Sequence, residues 1–407
     1  MNVDELVRDS LREQADQQIP AVAGLADRVL ALRRRRRTRR IASVAAATAA
    51  VVAVAVAVPL LKPGGTTDVR PADVMEPDRI TAHPDQSPPR DLIAAGRTAL
   101  AAYFSRAVVP VPHTADQAIS THTYWLLNPT TKKYVKTTKW SWVAVAPGLQ
   151  TAAVLEQNLP AHRIGLLDLA SGEVKRWIPV DHTVGGLAFS GDGSKLVATT
   201  YSANPDLVIT PKDDSEGEQP VVEQSHRTGF YVLDVASGQG SWSEVQSGDP
   251  NDPSSFLNSR QDFAFSRDGG LVWSGLPSEP GYQYYDLKGR QVDAPADGKH
   301  VQWYVDAGFS PDGTKLAGDF AGKKYKTSSW IVDPRTGKNL TETHGQQLLA
   351  WADDSSLVAW DIGKDGNEFH QRLVLVTLNS DKVVPLSDFR ATKDNTPGRW
   401  EPVFADR

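Results

Sequence analysis

Two short sequence patterns alternate along the second half of the chain, and their alternation restricts the fold more than any other feature. The first reads AFSGDGSKLVATT (Ala188–Thr200), AFSRDGGLVWSG (Ala264–Gly275), GFSPDGTKLAGD (Gly308–Asp319) and AWADDSSLVAWD (Ala350–Asp361). WVAVAPGLQTAAVLE (Trp142–Glu156) is a weaker version. Each copy is an alternating strand ending on an aromatic, a tight turn and a second alternating strand. Asp-Gly at 192–193, 268–269 and 312–313 suits the turn, because Gly accepts positive φ and Asp bonds its own backbone.

The second pattern follows each copy of the first. It reads IGLLDLASGEVKRW (Ile164–Trp177), FYVLDVASGQGSW (Phe230–Trp242), YQYYDLKGRQV (Tyr282–Val292), SWIVDPRTGKNL (Ser329–Leu340) and LVLVTLNSDKVV (Leu373–Val384). Two hairpins give four antiparallel strands. The aromatic positions Phe189, Phe265, Phe309 and Trp351 are separated by 76, 44 and 42 residues. A four-stranded unit of about 40–50 residues is the period of a propeller blade. The longest interval holds one copy of each pattern, so it is one blade carrying an insertion, Ser202–His226. Asp213, Asp214, Glu216 and Glu218 fall in that insertion. They form the candidate partner-binding loop, since clustered carboxylates meet a cation or a basic partner; a solvated loop is the plainer reading.

GRTALAAYFS (Gly96–Ser105) matches the second strand of the first pattern, and TYWLLNPTTKKYVK (Thr123–Lys136) matches the second pattern. The missing first strand is found at the other end of the chain, in PVFAD within RWEPVFADR (Arg399–Arg407). The expected architecture is therefore an all-β, six-bladed β-propeller over 92–407, closed by its C-terminal strand on the N-terminal blade, leaving no blade edge unpaired. Residues 92–104, rich in alanine, also permit a helix. Trp140, Trp142, Trp273, Trp303, Trp330, Trp351 and Trp360 fall on strand positions and read as packing between blades.

Ahead of the repeats, Ile41–Leu61 reads IASVAAATAAVVAVAVAVPLL, 21 residues without a charge. As a helix this spans roughly the 30 Å hydrocarbon core of a bilayer. Arg33, Arg34, Arg35, Arg36, Arg37, Arg39 and Arg40 precede it, and they set the expected topology: residues 1–40 cytoplasmic, everything after 61 outside the cell membrane. A cleaved export signal is the competing reading. Within 1–40, Val3, Leu6, Val7 and Leu11 share a helical face, and Val22, Leu25, Ala26, Val29 and Leu32 repeat the pattern. Residues 62–91 carry prolines at 63, 71, 77, 84, 88 and 89 and read as a stiff, extended spacer.

Net charge is −5, so bulk charge predicts no nucleic-acid partner, and the absence of cysteine removes disulfides and thiolate chemistry. The nine histidines show no HExxH and no pair at metal-ligand spacing. No G-x-S-x-G elbow is present, and Asp361–Gly366 lacks calcium-loop ligands, with Gly363 at the third position and Arg372 where the bidentate Glu belongs. No cofactor or metal is expected.

The FSPDG-(T/S)-KL-A and Y-V-L-D-x-x-(S/T)-G elements resemble the WD40-like repeats of TolB-type six-bladed propellers. The whole chain is similar to actinobacterial single-span membrane proteins with such an ectodomain. The resemblance implies a platform that binds a protein, peptide or glycan without catalysis. Two alternatives stand beside it. One is a transmembrane signalling protein whose residues 1–32 contact a cytosolic regulator such as a transcription factor. The other is an enzyme built on the propeller axis, which requires His, Asp and Arg side chains converging on the channel.

Overall fold

A computed structural model describes residues 80–407, apart from residues 115, 210–220, 223–225, 246–259, 261, 276–281, 303, 326, 365 and 394–397. The helical patterns of 1–32, the arginines of 33–40, the uncharged stretch 41–61, Trp303 and the insertion carboxylates Asp213, Asp214, Glu216 and Glu218 lie outside the described residues. Among the described residues no helix is long and apolar enough to cross a membrane.

The chain is a succession of antiparallel meanders. The first comprises β1 (Ala94–Ala95), β2 (Thr98–Pro110), β3 (Gln117–Asn128) and β4 (Lys133–Thr137). The second runs through β5 (Trp140–Val145), β6 (Thr151–Glu156) and β7 (Ala161–Asp168) into β8 (Glu173–Phe189). β9 (Lys195–Tyr201), the insertion strands β10 (Leu207–Ile209) and β11 (Val221–Val222), β12 (Arg227–Asp234) and β13 (Gly240–Glu244) follow. The next meander is β14 (Ala264–Phe265), β15 (Leu271–Gly275), β16 (Tyr282–Asp286) and β17 (Gln291–Val292). Then come β18 (Leu316–Phe320), β19 (Ser328–Val332) and β20 (Asn339–His344). The last are β21 (Gln347–Asp353), β22 (Ser356–Ile362), β23 (Gln371–Thr377) and β24 (Val383–Pro385), before β25 (Glu401–Asp406). The fold is all-β and propeller-like.

Hydrogen bonding joins these strands into five sheets, where the repeats predict six separate ones. One local cause accounts for the difference in number, and a second leaves one sheet a strand short. β8 is 17 residues long: its first half pairs with β7, and its second half, from Val184, pairs with β9. No Gly interrupts Val180–Thr183, so the outer strand of one meander runs unbroken into the inner strand of the next. Before β18 the inner strand shrinks to one bridge, Phe309 to Leu316, because Gly308 adopts φ 53° and interrupts the extended run.

β25 supplies the strand that the first meander lacks. It pairs with β2 in the register Thr98↔Asp406, Ala99↔Ala405 and Leu100↔Phe404, and Arg407 N–H donates to the Arg97 carbonyl at 2.8 Å. Residues 98–104 are therefore strand and not helix. The spacer expected to continue to residue 91 does not: Thr81 bridges Ala94, His83 bridges Ser387 and Asp91 bridges Lys133. Tyr103 Oη donates to the Pro89 carbonyl at 2.8 Å, and Trp400 Nε1 donates to Ser87 Oγ at 3.0 Å. Proline excludes a helix here, yet its carbonyl still accepts, so a Pro-rich run can dock on the sheet.

The turns follow their sequence. Gly193, Gly269 and Gly313 take φ of 71°, 68° and 72°. Ser190, Ser266 and Ser310 donate to Asp192, Asp268 and Asp312, and these bonds hold the three carboxyls below their ordinary range. In the second pattern Asp168, Asp234 and Asp333 each accept the backbone N–H three residues on, the Asx turn that explains D-x-x-(S/T)-G. Asp361 lies 3.6 Å from Arg372, and Gly363 N–H donates to the His370 carbonyl at 2.9 Å, so the calcium-like stretch is a hairpin. The tryptophans do more than pack. Trp142 Nε1 donates to the Leu187 carbonyl and Trp351 Nε1 to the Gly308 carbonyl, both at 3.0 Å and both across to the neighbouring repeat.

Candidate functional site

The inner strands β5, β8 and β25, with the paired β2 and β3, wall a cavity of about 980 Å³. Its apolar lining includes Phe104, Tyr124, Trp142, Pro205, Val208 and Val403; its polar lining includes Arg106, Ser120, His122, Asp206 and Arg260.

Arg260 organises the polar side. Its guanidinium donates to Asp206 Oδ1 at 2.7 Å and Oδ2 at 3.0 Å, to Asp262 Oδ2 at 2.9 Å and to the Gly185 carbonyl at 2.9 Å. It lies over the Trp142 ring, 4.2 Å from the centroid. Burial disfavours its charge, but Asp262 and Asp206 outweigh burial and keep it a cation. Tyr201 Oη donates to the second Asp262 oxygen at 2.9 Å. The two glycines of Val-Gly-Gly-Leu make the room: a Cβ on Gly186 would fall 1.9 Å from Asp262 Oδ1, and one on Gly185 2.6 Å from the Tyr201 ring.

His122, buried on β3, donates from Nδ1 to the Ser141 carbonyl at 3.0 Å. Burial pushes its imidazole down to about 4, aided by Arg106 and Arg260 and opposed by Asp206. At neutral pH it is uncharged. Burial likewise pushes the Tyr124 phenol up. The cavity thus holds a neutral imidazole, a phenol and a cation already matched by two carboxylates. His, Asp and Arg side chains line one cavity, the kind of cluster the enzyme alternative asks for. Asp206 and Asp262 are turned on Arg260, while Arg106 on the same wall has no ion pair among the described residues.

A second cavity, of about 700 Å³, collects the repeated aromatic position: Phe189, Phe265, Phe309, Trp351 and Phe404 all line it. Both cavities share Phe189, Phe404 and Asp406, so they adjoin along the inner strands. Asp306 opens into the second one; surrounding protein pushes its carboxyl up to about 6 while Gln347 Nε2 donates to it at 2.8 Å.

Both sets of residues singled out from the sequence, the arginines of 33–40 and the insertion carboxylates, lie outside the described residues. The insertion does contribute, through Asp206 and Val208. Sequence reasoning missed Arg260 and Asp262. The available signal was a charged pair just ahead of AFSRDG, facing a Gly-Gly pair at the same place in the preceding copy.

No family model matches the chain, and no curated protein matches it. Solved structures similar to it include hydrazine synthase of Kuenenia stuttgartiensis, at 12% identity and a TM-score of 0.34, covering 61% of this chain and 68% of that one. TolB from Acinetobacter baumannii is similar at 16% identity and a TM-score of 0.35, covering 73% of this chain and 68% of that one. At this similarity the propeller-like assignment rests on the strand pairing itself.

Proposed function

We propose that this protein is a membrane-tethered, extracytoplasmic binding module with a six-bladed propeller that engages a protein or peptide ligand without chemistry of its own. The count of six takes β25 with β2–β4 as one blade, divides the long sheet at β8 into two, and gives the Phe309 bridge the place of an inner strand. The tether rests on the arginines of 33–40 followed by the uncharged 41–61.

The observation that carries the reading is the 980 Å³ cavity, in which half-buried and buried aromatic side chains stand beside an arginine, Arg260, already matched by Asp206 and Asp262. A concave, largely apolar surface with a few fixed polar groups is a binding surface. The test is cross-linked purification of the full-length protein from membranes, with each cross-link mapped to 1–40 or 80–407. Extracytoplasmic partners on 80–407 alone are the expected result. A reproducible cytosolic partner on Val3–Leu32 would make signalling across the membrane the better reading.

A further inference from the structure

β2 is longer than the strand that covers it. β25 pairs with it from Thr98 to Phe104, while β3 continues beside it to Pro110, so the stretch beyond Phe104 has β3 on one side only. Val111 N–H donates to the Gln117 carbonyl, which fixes the alternation. Ser105, Ala107 and Val109 turn their backbone groups toward β3. Arg106 and Val108 turn theirs to the other edge, joined there by the Pro110 carbonyl. Among the described residues no strand pairs with that edge. Arg106–Pro110 are all exposed, Val108 by 36% and Val109 by 48%. An exposed run of β-branched residues on an unpaired edge is a template for another strand.

The side chains of this edge define what the strand must carry. Arg106 lies over the Phe104 ring, 5.4 Å from its centroid, and Phe104 packs edge-on against His122. All three line the first cavity. Arg106 has no ion pair among the described residues, in contrast to Arg260. Between residues 104 and 122 the one acidic residue is Asp116, at the hairpin tip; of the nearby carboxylates, Asp206 is matched by Arg260 and Asp406 by Arg97. The edge is therefore locally cationic and apolar.

We propose that Arg106–Pro110 takes up an extended, acidic peptide segment of a partner protein by strand addition. The segment would lie in line with β25. Its backbone would pair with the N–H and C=O groups of Arg106 and Val108. Alternate side chains would fall over the cavity, a carboxylate against Arg106 and an apolar group beside Phe104. This rests on the binding-module reading and gives that module its ligand class and its contact edge.

The test uses full-length protein in detergent micelles, panned against a display library of linear dodecapeptides, with an enriched peptide then synthesised and labelled. Enriched sequences are expected to alternate carboxylate and apolar residues. The bound peptide should slow hydrogen exchange at the Arg106 and Val108 amides at least tenfold. Val108→Pro removes an N–H that points away from β3, so it spares the β2–β3 ladder while weakening binding at least tenfold. Arg106→Glu should weaken binding as much and recover it for a peptide whose carboxylate is replaced by lysine. Peptides that bind equally well to both variants, or enrichment of basic peptides, would overturn the edge and leave the binding module standing. No enrichment at all would count against both. Protection of these amides that rises with protein concentration and needs no peptide would assign the edge to a second copy of the chain, and the peptide proposal would fall.

Discussion

Asp206 accepts two hydrogen bonds from Arg260, at 2.7 and 3.0 Å, although the residues are 54 positions apart. One belongs to the insertion and the other leads into β14, so the pair fastens the start of the insertion to the wall of the cavity. Arg260 also serves Asp262, and its removal would leave two partly buried carboxylates without their cation. Arg260→Leu is expected to cost about 3–5 kcal/mol. The shift of the urea midpoint at unchanged slope measures it. Adding Asp206→Asn should recover part of the loss; an unchanged midpoint in the single variant would show that the pair does not hold the insertion.

Gly186 is there for Asp262. An alanine Cβ would meet the carboxylate at 1.9 Å, so Gly186→Ala must displace Asp262 from Arg260 and Tyr201. A loss of about 1–3 kcal/mol is expected. Gly191 is the control, since the nearest atom to its Cβ lies 3.8 Å away, and Gly191→Ala should stay within about 0.5 kcal/mol. Equal thermal midpoints for the two variants would refute the steric account.

Ring closure depends on the ladder of β25, not on the ion pair at its end. Arg97 and Asp406 are bonded, but their side chains are 44% and 37% exposed, so Arg97→Ala should cost under about 1 kcal/mol. Deleting residues 401–407 removes the packing of Val403, Phe404 and Ala405 together with a whole row of ladder bonds, a loss of about 5 kcal/mol or more. It also bares β2. Size-exclusion and thermal unfolding should show aggregation of the truncated chain and near-native behaviour of Arg97→Ala.

His122, which is buried, and Asp306 pull stability in opposite directions in mild acid. An unfolded imidazole titrates near 6.5. Burial holds His122 down to about 4, so between those values the unfolded chain binds a proton that the fold excludes, and stability falls as pH is lowered. Asp306, pushed up to about 6, takes its proton in the fold first and gains stability as pH falls from about 6 toward 4. The difference between wild type and His122→Gln isolates the first. The wild type should lose about 2–3 kcal/mol more than the variant between pH 7 and pH 4.5. Parallel unfolding curves across that range would mean that the ring is solvated.

The candidate site was much less legible than the strands. Arg260, Asp262 and His122 lie in stretches whose local pattern gives no sign of burial, and nothing in the spacing of 122, 206, 260 and 262 brings them together. Residues 80–91 misled for the opposite reason, since their prolines signal an extended chain whether it is solvated or docked.

By itself the sequence determined the local units and the logic of closure. Alternation with period two, Asp-Gly turns and Asx turns are short-range chemistry, and β25 was recognisable because its pattern lacked a partner and β2 lacked its own first strand. Tertiary structure alone decided where the insertion lands, that β8 serves two sheets, and that one arginine gathers two aspartates over Trp142. Those outcomes depend on which side chains meet across turns of the ring. Such meetings are set by packing and by the need to neutralise a buried charge, and neither is written in the periodicity of any one strand.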